Sequence, residues 1–289
     1  MSPSAGTWGL GERGRRPVYM TDVNKMWATR PREYVGVRGQ DAEDYLQRML
    51  SSDVAALADG EACEALLLTA KARVIAPLAV LRRGAGDFLL LTEPGLADRV
   101  VEELVRFRFA ARAEVAREQH ASVVVLGADP PAGALAVPTG DYGEPGFEVL
   151  DAEPPADATE LSADELELRR IRAGTPRWGA EVDERVLPAE AGLVERAVSL
   201  TKGCYPGQEP IARLHYRGHA NRGLRVLALE GLDAPPPRDT EIRHGEKVVG
   251  RVTSSARENG RVVALAYVRV EVPEDAVLDV EGAVARPLD

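Results

Sequence analysis

The longest apolar runs in this chain, such as Ala65–Thr69 and Phe88–Thr92, are only strand-length. A membrane helix needs roughly 18 uncharged apolar residues, and no stretch supplies them. A chain punctuated this way folds as many short elements packed in layers. Collagen and coiled-coil classes are excluded by the same pattern, and 45% hydrophobic with 28% charged residues is ordinary for a globular protein. At about 150 residues per domain, 289 residues make roughly two domains, within a range of one to three.

The elements alternate in kind along the chain. Residues 34–39 form a short strand. Asp41 then caps a helix from Ala42 to Leu50, with Tyr45, Leu46, Met49 and Leu50 on its apolar face. Glu64–Thr69, Arg73–Leu81 and Asp87–Thr92 are strands, the last two joined by a Gly-containing hairpin loop at Arg82–Gly86. Leu96, Val100, Leu104 and Phe107 mark one face of a helix near Leu96–Phe109, and Ser122–Leu126 is a strand again. Residues 127–160 are rich in Pro and Gly and connect one or two short strands. Ser162-x-x-Glu165 is a capping box that opens a helix over Ala163–Ala173, stopped by Gly174 and Pro176. After Asn221 the chain is all-β. Its strands are Gly223–Glu230, Lys247–Ser254 and Arg261–Val270, with the turn dipeptide Asn259-Gly260 between the last two. Such a run suggests a small barrel or sandwich.

Residues 1–19 are expected to form a disordered arm, with Met20 as a candidate true start. The Gly9-x-Gly11-x-x-Gly14 match lacks the flanking strand and helix of a dinucleotide site. No apolar signal core is seen there, and two cysteines make neither a disulfide scaffold nor a zinc site, so a cytoplasmic location is expected.

Net charge is −10, which argues against a duplex nucleic-acid binder but permits a local basic patch. Such a patch exists. From Lys202 to Arg225 there are five cations (Lys202, Arg213, Arg217, Arg222, Arg225) against one acid, Glu209. These cations either pair with acids elsewhere or face an anion. In the same stretch Gly203 and Gly207 flank Cys204, Tyr205 and Pro206. Glycines so placed allow a positive φ or a close backbone approach. Cations near Cys204 favour its thiolate. His215 and His219 are the nearest candidate bases, and with Cys204 they are candidate metal ligands. The Arg, Tyr and Gly content there does not read as a helix, and a structural zinc takes four protein ligands, so no metal site is expected.

Lys202-Gly203-Cys204-Tyr205-x-Gly207-Gln208-Glu209 resembles the signature of the YgfZ family of folate-binding proteins. That family is related to the glycine-cleavage T-protein and to an iron–sulfur assembly factor. Val37–Val54, Leu66–Ala76, Arg170–Arg177 with Pro188-x-Glu190, Gly250–Ser254 and Ala264–Val268 resemble other family segments. The likeness covers about residues 34–270.

The resemblance implies an α+β fold: a three-domain ring of the T-protein/YgfZ type, with a ferredoxin-like α+β domain and a C-terminal antiparallel β-barrel. The domains implied are 20–60 plus 127–220 (discontinuous, folate-binding), 61–126 (the ferredoxin-like insertion) and 221–289 (the barrel). It implies tetrahydrofolate or a derivative as cofactor, with iron–sulfur client enzymes as partners and transient contact with a cluster. Cys204 becomes the functional thiol. Lys202, Tyr205, Gln208, Glu209, Arg213, Arg217 and Arg172 become cofactor-binding residues, and Gly203 and Gly207 shape the loop. The T-protein relatives are aminomethyltransferases aided by a carboxylate. Here the matching stretch, Ala72–Pro77, has no acid, and Arg172 stands where those relatives tend to carry Glu. Iron–sulfur assembly or repair is therefore the first reading. A tetrahydrofolate-dependent one-carbon transferase is the alternative, and a polyanion- or RNA-binding module, supported by Tyr205 and Tyr216 among the cations, is the third.

Overall fold

The computed structural model describes residues 24–288, so the expected arm at 1–19, the start at Met20 and the match at Gly9–Gly14 lie outside the described residues. The chain forms two five-stranded sheets and one closed six-stranded barrel.

The first sheet runs in the order Thr159–Glu160, Met26–Thr29, Ser122–Leu126, Gly146–Leu150, Leu135–Thr139. The second runs Ala62–Leu68, Val74–Gly84, Asp87–Thr92, Glu33–Arg38, Glu114–Glu118. All pairings in the second sheet are antiparallel. Its strands alternate sides with period two. Val35, Val37, Phe88 and Leu90 face the helices Ala42–Met49 and Ala97–Arg106, meeting Tyr45, Leu46, Val100 and Leu104. Tyr34, Leu81, Leu89 and Leu91 point the other way, onto Val137 and Leu150 of the first sheet.

This pairing draws the α+β layer differently from the expected stretch 61–126. Glu33–Arg38 sits inside the sheet, between Asp87–Thr92 and Glu114–Glu118, and brings the helix Ala42–Met49 with it. Ser122–Leu126 leaves for the first sheet. Register explains both. A strand whose two faces are both buried must lie within a layered stack, and Tyr34 and Val35 are 3% and 0% exposed on opposite faces.

Two local expectations change. Asp41 makes no side-chain cap; its carboxylate accepts from the Arg112 backbone N–H at 2.8 Å and from the Arg112 guanidinium instead. The helix expected to reach Phe109 ends at Arg106, because the chain turns back through Phe109 at φ 44°.

The capping box at Ser162 and Glu165 is formed on both sides, opening the helix Ala163–Arg172. Ile171 of that helix packs on Val263 and Leu265 of the barrel. Beneath it, Arg170 bonds Glu181 at 2.9 Å and Ser254 at 2.8 Å, and Ser254 donates to Glu181 at 2.6 Å. Arg170 and Glu181 are 5% and 1% exposed, so this buried pair is fully partnered, as burial of charge requires. It ties the barrel to this helix and to the loop that follows it. The barrel strands follow the order Arg222–Glu230, Arg261–Arg269, Lys247–Glu258, Glu241–His244, Leu278–Val280, Ala283–Pro287. Asn259 and Gly260 both take positive φ in the hairpin turn, as that dipeptide predicts. No helix among the described residues is long and apolar enough to cross a membrane.

Candidate functional site

The signature segment is a loop followed by a helix. Gly207, at φ +84°, opens the α-helix Gln208–Arg217. A Cβ on Gly207 would lie 2.7 Å from the Thr69 carbonyl oxygen and 3.0 Å from the Ala72 Cα. Only glycine lets the loop seat so closely on the turn between Ala62–Leu68 and Val74–Gly84. The Arg, Tyr and Gly content of this stretch argues against a helix. It forms because Pro210 falls in the first turn, where its missing N–H is no loss. Ile211 then anchors the inner face at 4% exposure. His215 lies on this helix and His219 beyond its end.

Lys202 turns inward. Its Nζ donates to the carbonyls of Leu50 at 2.7 Å and Ser52 at 2.6 Å, and lies 5.3 Å from the Tyr205 ring centroid. Burial lowers its pKa to about 8, with Asp53 opposing. Cys63 stands close by, and burial pushes its thiol up to about 11. Cys204, in contrast, is an exposed free thiol. Ser51 completes the fastening. Its hydroxyl donates to the Ala197 carbonyl at 2.5 Å and accepts from the Leu66 N–H at 2.7 Å. Among the described residues no group of three or more His, Cys, Asp or Glu could hold a metal ion.

The structure does not gather the positive island at one point. Arg213 and Arg217 border a groove of about 400 Å³ with Lys71, floored by Leu187, Ile211 and Leu214. Arg172 pairs with Glu258 of the barrel. Arg222 pairs with Glu190 at 3.2 Å, and Arg225 donates to the carbonyls of Val272 and Pro273. Tyr205 is buried at 7% exposure, Gln208 is half-buried, and Glu209 and Gly203 are exposed.

The charged centre of the molecule lies elsewhere and escaped the sequence reading. A cavity of about 290 Å³ opens between the two sheets, the loop 175–182 and the helix Val194–Ala197. Its wall carries Arg30, Arg32, Glu64, Glu93, Asp141, Glu148 and Arg196. Arg32 bonds Glu93 at 2.6 Å and Glu148 at 3.1 Å, while Arg30 reaches Asp141 at 3.0 Å and Glu93 at 3.3 Å. Arg196 bridges Glu64 at 2.6 Å and Asp141 at 2.5 Å. Burial works against the charged form of Asp141, yet Arg30 and Arg196 hold its carboxyl down at about 2. Burial also opposes the charge on Arg30, but the surrounding acids raise its pKa further. Trp178, Leu78 and Val137 give the cavity an apolar side, and Cys63 lies on its edge.

Three arginines against four carboxylates leave this wall one negative charge in excess. Carboxylates set beside an aromatic, apolar wall suit a flat heterocycle with N–H donors. Glu64 is the most open of the four at 38% side-chain exposure, and among the described residues only Arg196 pairs with it. None of Lys202, Tyr205, Gln208, Glu209, Arg213, Arg217 and Arg172 lines this cavity. Pro77, from the stretch without an acid, does.

No protein-family model matches the chain. Curated relatives do. The tRNA-modifying protein YgfZ of Pectobacterium carotovorum is 27% identical, over 84% of this chain and 83% of its own length. That of Edwardsiella ictaluri is 28% identical over 85% of each. Over most of its length the chain is therefore similar to YgfZ proteins. An aminomethyltransferase of Corynebacterium jeikeium is 25% identical over 88% of this chain and 79% of its own. The glycine cleavage system aminomethyltransferase T of Bartonella henselae superposes with a TM-score of 0.78 at 19% identity, covering 92% of this chain and 85% of that one. That likeness shows the fold, α+β of the T-protein type with its antiparallel barrel.

Proposed function

We propose that this YgfZ-type chain binds a tetrahydrofolate in the cavity between its sheets and uses Cys204 as a functional thiol outside it, in the assembly or repair of iron–sulfur enzymes. The observation that carries the reading is the donor set of the cavity. Glu64 and Asp141 face an apolar wall that includes Trp178. Bound there, tetrahydrofolate supplies a carrier for a one-carbon unit. Glu64 would accept the N–H donors of the pterin once Arg196 swings aside, and Trp178 with Leu78 would cover the ring.

The strand stretch Ala72–Pro77 brings no carboxylate to the cavity, and Pro77 stands on its wall. Help to a leaving amine from that position is absent, which disfavours aminomethyl transfer of the T-protein kind. Cys204 belongs to a separate surface. Its loop is fastened by Lys202 to the carbonyls of Leu50 and Ser52 at the end of the first helix, and Cys204 does not line the cavity. A partner enzyme can reach the thiol without entering the cavity.

The test is a Cys204→Ala variant expressed in a strain lacking the chain's own gene. The reading expects iron–sulfur enzyme activities to stay low while folate binding persists. Full restoration by the variant removes the thiol role.

A second reading, action on RNA, is favoured by the name the relatives from Pectobacterium and Edwardsiella carry.

A further inference from the structure

The chain has four phenylalanines, and two of them stand in the run Arg106-Phe107-Arg108-Phe109. Phe107 is 41% exposed and Phe109 88% exposed, with Val105 beside them at 42%. Three of the eight exposed large hydrophobic residues among those described thus fall within five positions. Looseness does not explain the exposure. Ala111 donates its N–H to the Arg108 carbonyl at 2.9 Å, the Arg108 guanidinium reaches the Ala113 carbonyl at 3.2 Å, and Arg112 is held by Asp41 at 2.8 Å. Phe109 is fixed at φ 44°, a backbone region that disfavours a large side chain. A strained, ordered tip that shows aromatic rings to water points to a ligand.

We propose that this tip is a docking point for single-stranded RNA, with Phe107 and Phe109 as stacking platforms and Arg106 and Arg108 as phosphate contacts. Charge complementarity selects the occupant. Residues 104–113 carry no acid, and of their three arginines Arg112 is held by Asp41, which leaves Arg106 and Arg108 for an anion. Arg106 has 71% side-chain exposure, and its only ion-pair partner among the described residues is Glu103, at 3.9 Å. The guanidinium of Arg106 already lies over the Phe107 ring, 5.2 Å from its centroid, which extends the stack by one plane. Each nucleotide offers a flat base and a phosphate, and the alternation of Phe with Arg offers a ring and a cation in turn. A membrane surface asks instead for a continuous apolar face. The site is separate from the cavity and from Cys204; it deepens the RNA reading and does not depend on the cavity's ligand.

The experiment is fluorescence anisotropy of a fluorescein-labelled twelve-nucleotide oligouridylate with the full chain, across a salt series. Tetrahydrofolate calorimetry is run on the same preparations. Phe109→Ala is expected to weaken RNA binding at least fivefold, and Phe109→Trp to restore it, with circular dichroism and folate binding unchanged. Arg106→Gln should lower the slope of log affinity against log salt by about 0.7, the share of one phosphate contact on a single strand. Wild-type affinity unaltered in Phe109→Ala overturns the tip and leaves RNA binding to another surface. No binding of the oligonucleotide by the wild-type chain overturns both the tip and the RNA reading. Binding to phosphatidylserine vesicles that is lost in Phe109→Ala, without RNA binding, assigns the tip to a membrane surface and overturns the proposal.

Discussion

The ammonium nitrogen of Lys202 lies 2.6 Å from the carbonyl oxygen of Ser52, so the signature loop is latched to the segment that follows the first helix. A lysine spent this way is a fastener and not an anion receptor. Lys202→Met removes donors from two carbonyls and should cost about 1–2 kcal/mol at pH 7, measured by urea unfolding. The pH dependence has a definite sign. Burial depresses the folded-state pKa from the ordinary lysine value of 10.5 to about 8, so between those values the unfolded chain binds more protons than the folded one. Stability contributed by this group therefore rises with pH across that window. The cost of Lys202→Met should be larger at pH 10 than at pH 7. An equal cost at both would contradict the depressed pKa.

Gly207→Ala places a methyl group against the Thr69 carbonyl and imposes φ +84° on a residue with a Cβ. A loss of about 1–3 kcal/mol is expected. Because the residue opens the signature helix, the rate of Cys204 alkylation by iodoacetamide should change as well. Gly203 has open space around it, so Gly203→Ala should leave stability within about 0.5 kcal/mol.

Arg196 is the bridge between Glu64 and Asp141. Arg196→Met leaves the Asp141 carboxylate with Arg30 alone. Its pKa should climb from about 2, as followed by carbon-13 NMR of the carboxyl. Arg196 keeps 32% of its side chain exposed, so the stability loss should be about 1–3 kcal/mol, below that of a fully buried pair. An unchanged Asp141 titration would mean that Arg30 suffices.

His120 sits where the chain crosses from Glu114–Glu118 of one sheet to Ser122–Leu126 of the other. Its Nδ1 lies 2.6 Å from Asp151 and its Nε2 3.0 Å from Glu118. Burial opposes protonation, but the two carboxylates outweigh it and raise the pKa above 6.5. The stabilising contribution is complete below pH 6.5 and fades as pH rises through the raised value. Subtracting the stability curve of His120→Gln from that of the wild type should show this loss on the alkaline side. A difference that grows with pH would refute it.

Much of this was legible in the sequence, and the reasons are local. The barrel followed from short strands and Asn259-Gly260, whose backbone preference needs no distant partner. The helix Ala163–Arg172 followed from its own capping box. The cavity wall did not, because Arg32 finds Glu93 and Glu148 at separations of 61 and 116 residues, and no spacing rule links them. The island from Lys202 to Arg225 was visible as charge along the chain, but helix and strand geometry sends its side chains to different neighbours. The helix Gln208–Arg217 was hidden by its Arg, Tyr and Gly content; the signal that could have revealed it is Gly207 followed by Glu209 and Pro210 in a first turn.

The central claim is that folate is read by the cavity carboxylates, apart from the thiol. Calorimetric titration of tetrahydrofolate tests it most directly, on the wild-type chain, Glu64→Gln and Arg213→Ala. Loss of a hydrogen bond to a charged acceptor costs about 1.5–3 kcal/mol, so Glu64→Gln should bind at least tenfold more weakly, while Arg213→Ala, in the separate groove with Lys71, should bind as the wild type does. No binding by the wild type, or equal affinity in Glu64→Gln, would contradict the account.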